Sequence, residues 1–396
     1  MFTKGINFTR ETPFKMIRID SKLPNVGTNI FTTMGRLANE HNAVNLSQGF
    51  PNFGADPKLL QLAADALKGG YNQYAPMQGS VSLRIKISEK IETLYEKTYH
   101  PESEITITSG ATQAIFTAIS TFIRPGDEVI VLKPAYDCYE PAIEVFGGKT
   151  IPIQLEGLNY TLNWNTFKSA ISSKTKMVII NTPHNPAGTI WNEIDMLQLQ
   201  EILKDTNIIL LSDEVYEHIV FDGKQHESVA KYPELASRSI ICSSFGKTFH
   251  VTGWKIGYCV APKALMHEFQ KVHQFNVFCV NHPAQEALAK YLETPEHYLT
   301  LGQFYQEKRD YFLNAILGSR FKMIPSSGTY FQLLEYSDIT NETDTEFAER
   351  LIKEYKLASI PVSVFNLDNL DNKQLRFCFA KTNTVLDQAA EILNRI

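Results

Sequence analysis

Residues 239–262 read SIICSSFGKTFHVTGWKIGYCVAP. Two apolar runs of strand length, SIICSS and IGYCVAP, flank a stretch of small and aromatic residues that carries two lysines, Lys247 and Lys255, and no Asp, Glu or Arg. A lysine in such company is either paired with an anion or kept neutral, and either state serves chemistry. The runs themselves set the fold. Three more of the same kind, EVIVL (128–132), MVIINTP (177–183) and NIILLSDE (207–214), alternate with amphipathic segments between about 105 and 262. One of those segments, GATQAIFTAISTFI (110–123), puts Ala111, Ile115, Ala118, Ile119 and Phe122 on one face at helical spacing. Strand–helix alternation with near-continuous apolar strands predicts an α/β fold, a mostly parallel sheet covered on both faces.

Beyond about residue 265 the pattern changes. A long helical stretch (283–317) is followed by two strand-like segments, GTYFQLLEY (328–336) and QLRFCFA (374–380), flanking a helix DTEFAERLIKEYK (344–356). This predicts a smaller α+β domain. The expected division is an N-terminal segment, 1–50, packing with the small domain, a large domain over 51–285, and the small domain over 286–396. In the first part, IFTTMGRLANEH (30–41) reads as a short helix before a turning loop with Gly49, Pro51 and Gly54.

A chain of 396 residues with 43% hydrophobic and 20% charged content has ample core for two domains. Net charge is −5 and the basic residues are scattered, which predicts neither a nucleic-acid track nor a membrane-binding face. The five cysteines, Cys138, Cys242, Cys259, Cys279 and Cys378, are far apart and form no C-x-x-C, so free thiols in a reducing cytosol are expected and no metal. MFTKGINFTRETPFKMIRID (1–20) has no apolar core of signal-peptide length, and no window suits a bilayer span. The expected location is the cytoplasm.

Polar groups collect where the apolar runs end, and ligands of open α/β sheets bind at the carboxyl ends of strands. Ser109, Gly110, Ala111 and Thr112 follow ITIT; Asn181 and Asn185 lie in NTPHNP; Asp213 and Tyr216 lie in DEVYE; Ser244 and Lys247 close SIICSS. Each has an ordinary reading, as an N-cap, a turn, a solvated carboxylate or an ion pair. Together, four strand ends on one rim predict a binding site, with the start of helix 110–123 as a seat for an anion.

The succession GAT, PAY, NTPHNP, DEVY, SSFGKT, GWKIG and the Arg of LRFCFA resembles the class I/II aminotransferases, pyridoxal-phosphate enzymes of fold type I, from about Ile30 to the chain end. NLSQGFPNF (45–53), NQYAPMQG (72–79), YDCYEPAI (136–143) and SIPVSVF (359–365) are most similar to the branch of methionine aminotransferases, glutamine transaminase K and kynurenine aminotransferases.

The resemblance implies roles. Lys247 bonds covalently to the cofactor aldehyde and then shuttles a proton, while Lys255, Ser244 and the backbone of Gly110, Ala111 and Thr112 hold the phosphate. Asp213 faces the pyridine nitrogen, Tyr216 and Asn185 hold the ring hydroxyl, and Tyr136 stacks on the ring. Arg376 clamps the substrate carboxylate beside Gly49 and Asn185, and Phe31 and Phe50 border the side-chain pocket. Tyr74 reaches the phosphate of a neighbouring subunit, which makes the active protein a homodimer. The Asn185–Pro186 bond is expected to be cis.

The expected activity is transfer of the amino group of methionine or an aromatic or apolar amino acid, with glutamine or kynurenine also open, to a 2-oxo acid by a ping-pong route. The alternative on the same scaffold is a cysteine-conjugate β-lyase, separated by pyruvate release without an acceptor. A third reading, a cofactor-binding regulator, needs a fused DNA-binding module, for which the first forty residues are too short and insufficiently basic.

Overall fold

A computed structural model of the chain describes residues 17–396. The first strand, β1 (Val44–Asn45), follows helix Ile30–Glu40. The next seven form one sheet: β2 (Ile105–Thr108), β3 (Glu128–Lys133), β4 (Lys149–Gln154), β5 (Thr175–Asn181), β6 (Ile209–Asp213), β7 (Ser239–Ser244) and β8 (Gly257–Val260). Their order is β2-β8-β7-β6-β5-β3-β4. Only β8 runs against the other six strands, so the sheet is mostly parallel, as expected from the apolar runs.

Alternate residues of these strands feed two cores. Val129, Val131, Met177, Ile179 and Leu211 face one side with helix Gly110–Phe122. Ile130, Leu132, Val178, Ile180 and Leu210 face the other. Period-two packing on both faces explains why the strands read as unbroken apolar runs. Strand β4 has no such run. It lies at the sheet edge, where Pro152 costs no ladder bond to an outer neighbour.

A second sheet of four antiparallel strands, order β12-β13-β10-β9, is built from β9 (Lys322–Met323), β10 (Phe331–Glu335), β12 (Ile360–Pro361) and β13 (Gln374–Cys378). Helix Asp344–Arg350 packs on it and runs into a π-helical turn, Leu351–Tyr355. Strand β11 (Leu357–Ala358) pairs in parallel with β1. Helix Ile30–Glu40 thereby docks on the C-terminal part of the chain. Residues 1–16, which carry the rest of the expected N-terminal segment and most of the stretch read against a signal peptide, lie outside the described residues. Helix His282–Tyr291 runs unbroken past residue 285 and packs on helices Pro57–Lys68 and Val81–Tyr95, so the expected boundary at 285/286 falls inside a helix of the large unit. Among the described residues no helix is long and apolar enough to cross a membrane.

Candidate active site

Strands β2, β3, β5, β6 and β7 run the same way and end on one rim. The antiparallel β8 begins there, with Gly257 opposite Ser244 of β7 and Thr108 of β2. Residues 245–256 therefore leave the sheet and return to it at the same edge, which brings Lys247 and Lys255 to one place.

The rim opens into a cavity of about 240 Å³. Gly49, Phe31, Phe50, Gly110, Ala111, Thr112, Tyr136, Asn185, Asp213, Tyr216, Ser244, Lys247, Lys255 and Arg376 all line it. Tyr74 does not. It is 80% exposed and its ring meets Phe278 edge-on.

One end of the cavity suits an anion. Helix Gly110–Phe122 starts there, and the Ser109 side chain does not cap it. The ordinary N-cap reading thus fails, and the first N–H groups are left for another acceptor. Gly110 has φ +74°, and a Cβ on it would stand 3.2 Å from Lys255 Nζ. Glycine lets the ammonium and the helix start approach one another. The Ser244 hydroxyl also makes no capping bond and lines the same end.

The other end holds a buried carboxylate. Asp213 accepts from the Tyr139 hydroxyl at 2.5 Å and, weakly, from Val215 N–H at 3.4 Å. Burial raises its pKa from 3.8 to about 6, with the Tyr139 bond and the Lys247 charge pulling the other way. Asn181 donates from Nδ2 to the Asp213 carbonyl at 2.9 Å and accepts from Asn185 N–H at 2.8 Å, which locks the NTPHNP turn to the end of β6. The Asn185–Pro186 bond is cis, as are Lys133–Pro134 and Thr182–Pro183. Tyr136 lines the cavity as well, its ring edge-on to that of Tyr139.

Lys247 lies between these ends. Its Nζ sits 5.8 Å from the centroids of Tyr216 and Tyr330 and 3.4 Å from the Gly49 carbonyl. Burial, assisted by the charges of Arg376 and Lys255, lowers its pKa to about 8. An amine so placed is partly neutral near physiological pH and able to attack a carbonyl.

Arg376 is 1% exposed in β13, paired with Leu333 and Ile360 on its two sides, so it is not on an edge strand. Its Nη1 donates to Asn185 Oδ1 at 2.8 Å and its Nη2 to the Ser47 carbonyl at 3.2 Å. The guanidinium lies 3.9 Å from the Phe331 ring centroid. Its Nε has no partner among the described residues. A buried, stacked guanidinium with an open donor, facing a cavity, suits a planar carboxylate. Gly49 packs so tightly here that a Cβ would come within 2.9 Å of Phe331.

Sequence reading missed several cavity residues. Gln48, Ile115, Val215 and Phe331 also line it. Tyr139, inside the quoted stretch YDCYEPAI, holds Asp213. These residues lie within quoted stretches, but as apolar or bulky side chains they carried no chemistry that marked them in sequence.

An uncapped helix start with an ammonium, a buried carboxylate opposite, a low-pKa amine between and an aromatic wall fit a phosphorylated pyridine aldehyde. Residues 41–393 match the family "Aminotransferase class I and II". The chain is 46% identical over 377 residues to methionine aminotransferase of Escherichia coli strain K12, covering 95% of this chain and 98% of that protein. It is 33% identical over 403 residues to human kynurenine–oxoglutarate transaminase 3, covering 94% and 89%. A solved E. coli structure with an identified methionine aminotransferase function superposes with a TM-score of 0.94 at 46% identity, over 96% of this chain and all of that one.

The chain belongs to the class I and II aminotransferases. It is a pyridoxal-phosphate-dependent enzyme that moves an amino group from an amino acid to a 2-oxo acid, and the β-lyase alternative is not favoured by these relatives.

Proposed function

We propose that the amino donor is methionine or another apolar or aromatic amino acid, and that the residues of the cavity divide the work as follows. When bound, the cofactor supplies an electron sink for the negative charge left as the α-proton departs. Lys255, Ser244 and the N–H groups of Ala111 and Thr112 hold its phosphate. Asp213 keeps the ring nitrogen protonated; a cation opposite it opposes the effect of burial and holds the carboxylate ionised. Tyr216 and Asn185 hold the ring hydroxyl, and Tyr136 covers one ring face. Lys247 anchors the cofactor through its amine, and the same amine, once free, takes the proton from the substrate α-carbon. Arg376 and the Gly49 backbone seat the substrate carboxylate.

The observation that carries the donor class is the cavity wall. Phe31, Phe50, Ile115 and Phe331 line it, and Arg376 is the one arginine there among the described residues. A donor with a second carboxylate has no second guanidinium to meet. The 46% identity to a methionine aminotransferase supports the same choice. Half-reactions followed by cofactor absorbance against a panel of amino acids test it. Methionine and phenylalanine should outpace aspartate by about tenfold or more in kcat/KM, since an unpaired buried polar group costs about 1–3 kcal/mol and a charged one more. A faster reaction with aspartate would refute the assignment.

We also propose a homodimer with shared sites. Tyr74 is 80% exposed and does not line its own chain's cavity, which leaves its side chain available to a neighbouring subunit. Free, mostly buried thiols support a cytoplasmic location.

A further inference from the structure

Four successive carbonyls, from Ser47 to Phe50, accept hydrogen bonds from side chains of the C-terminal part of the chain. Arg376 Nη2 takes the Ser47 carbonyl at 3.2 Å. Lys381 Nζ takes those of Gln48 at 3.2 Å and Phe50 at 2.7 Å. The Tyr330 hydroxyl takes that of Gly49 at 2.6 Å. Lys381 is 3% exposed and has no carboxylate partner among the described residues. Its ammonium also lies 5.1 Å from the Phe50 ring. Lys308 Nζ fixes the Lys381 carbonyl at 2.9 Å, so the lysine is itself anchored.

A buried cation without a counter-ion is costly, and here backbone dipoles replace one. In a planar trans peptide the N–H points opposite to the carbonyl. With the Gln48 carbonyl turned to Lys381, the Gly49 N–H points away from it, and it has no partner among the described residues. The Gly49 N–H, on a cavity-lining residue beside Arg376, is thus left free to donate.

We propose that Lys381 and Tyr330 are positioning residues for the substrate carboxylate, acting through the strap Ser47–Phe50. This rests on the reading of Arg376 and Gly49 as the carboxylate seat. Neither residue lines the cavity, so neither touches substrate. The strap also carries Phe50, which is 46% exposed at the cavity wall. Loss of its anchor therefore affects every donor that presents a carboxylate, whatever its side chain.

The test uses the holoenzyme and the unreactive carboxylate 3-phenylpropanoate, whose Kd is read from the absorbance of bound cofactor. KM and kcat for L-methionine and L-phenylalanine are measured beside it, together with the cofactor Kd. Lys381→Met, which keeps the apolar stem, is expected to weaken 3-phenylpropanoate and raise both KM values about tenfold, the scale of a lost charge-assisted bond. The cofactor Kd should stay within about twofold. Unchanged 3-phenylpropanoate binding in the folded variant overturns the proposal, as does an equal loss of cofactor affinity. If Lys381→Met does not fold, Tyr330→Phe decides: a rise of about threefold in both measures supports it and no change overturns it. Arg376→Lys separates the two layers. If that variant binds 3-phenylpropanoate normally, the carboxylate seat itself is misplaced; if it alone is weakened, only the strap's role fails.

Discussion

Tyr139 donates its phenolic proton to Asp213 Oδ2 across 2.5 Å, within a fully packed wall. The bond favours the ionised carboxyl against the burial that opposes it. Tyr139→Phe should therefore push the Asp213 pKa further up and weaken cofactor binding about tenfold, the scale of a hydrogen bond to a charged group. A fluorescence titration of the cofactor-free variant measures this; unchanged affinity would show that the hydroxyl only fills space.

Lys247 has a pKa lowered to about 8 by burial in the cofactor-free chain. Only its neutral amine attacks an aldehyde, so covalent capture of pyridoxal phosphate should accelerate with rising pH and level off above about 8. Stopped-flow absorbance from about pH 6.5 to about 9.5, spanning the lowered lysine pKa, reads the profile. Lys247→Ala should lose turnover altogether while still folding.

Asp213 also bears on stability. Burial raises its pKa from 3.8 to about 6, so between these values the folded cofactor-free chain holds a proton that the unfolded chain has released. Stability then falls as pH rises through that window, by up to about 3 kcal/mol for a shift of roughly two units. Cofactor-free Asp213→Asn should resist urea better than the parent at pH 7 and lose that advantage near pH 4. The same variant should be catalytically crippled, since it cannot keep the ring nitrogen protonated. An Asn variant less stable at pH 7 would contradict the account.

The shared-site proposal has its own check. Mixed dimers of Tyr74→Ala and Lys247→Ala protomers contain one site with an intact lysine and an intact neighbouring tyrosine. Activity should reappear on mixing two weak or inactive preparations. No recovery, with exchange verified by mass, places Tyr74 outside the partner's site.

Much of the fold and of the cavity rim is legible in the sequence, for a physical reason. The rim residues sit immediately after apolar runs, so strand and ligand group are neighbours in sequence as well as in space. Strand β4 escaped because Pro152 and polar residues at a sheet edge leave no run to detect. Phe331 escaped because tertiary packing alone brings it to the cavity, and Tyr139 because only the folded chain shows that its hydroxyl meets Asp213. The domain boundary expected at 285 falls inside helix His282–Tyr291, which packs on helices of the large unit, because nothing in the helical composition of 283–317 marks where that unit ends.

The reversal of β8 has one more implication. Because that strand runs against the other six of the sheet, Lys247 and Lys255, the proposed tether and the proposed phosphate ligand, belong to a single hairpin cassette. Grafting residues 239–260 onto a relative would transplant both together, in fixed spacing. Lengthening the turn would move Lys247 and Lys255 apart and spoil their match to one small molecule.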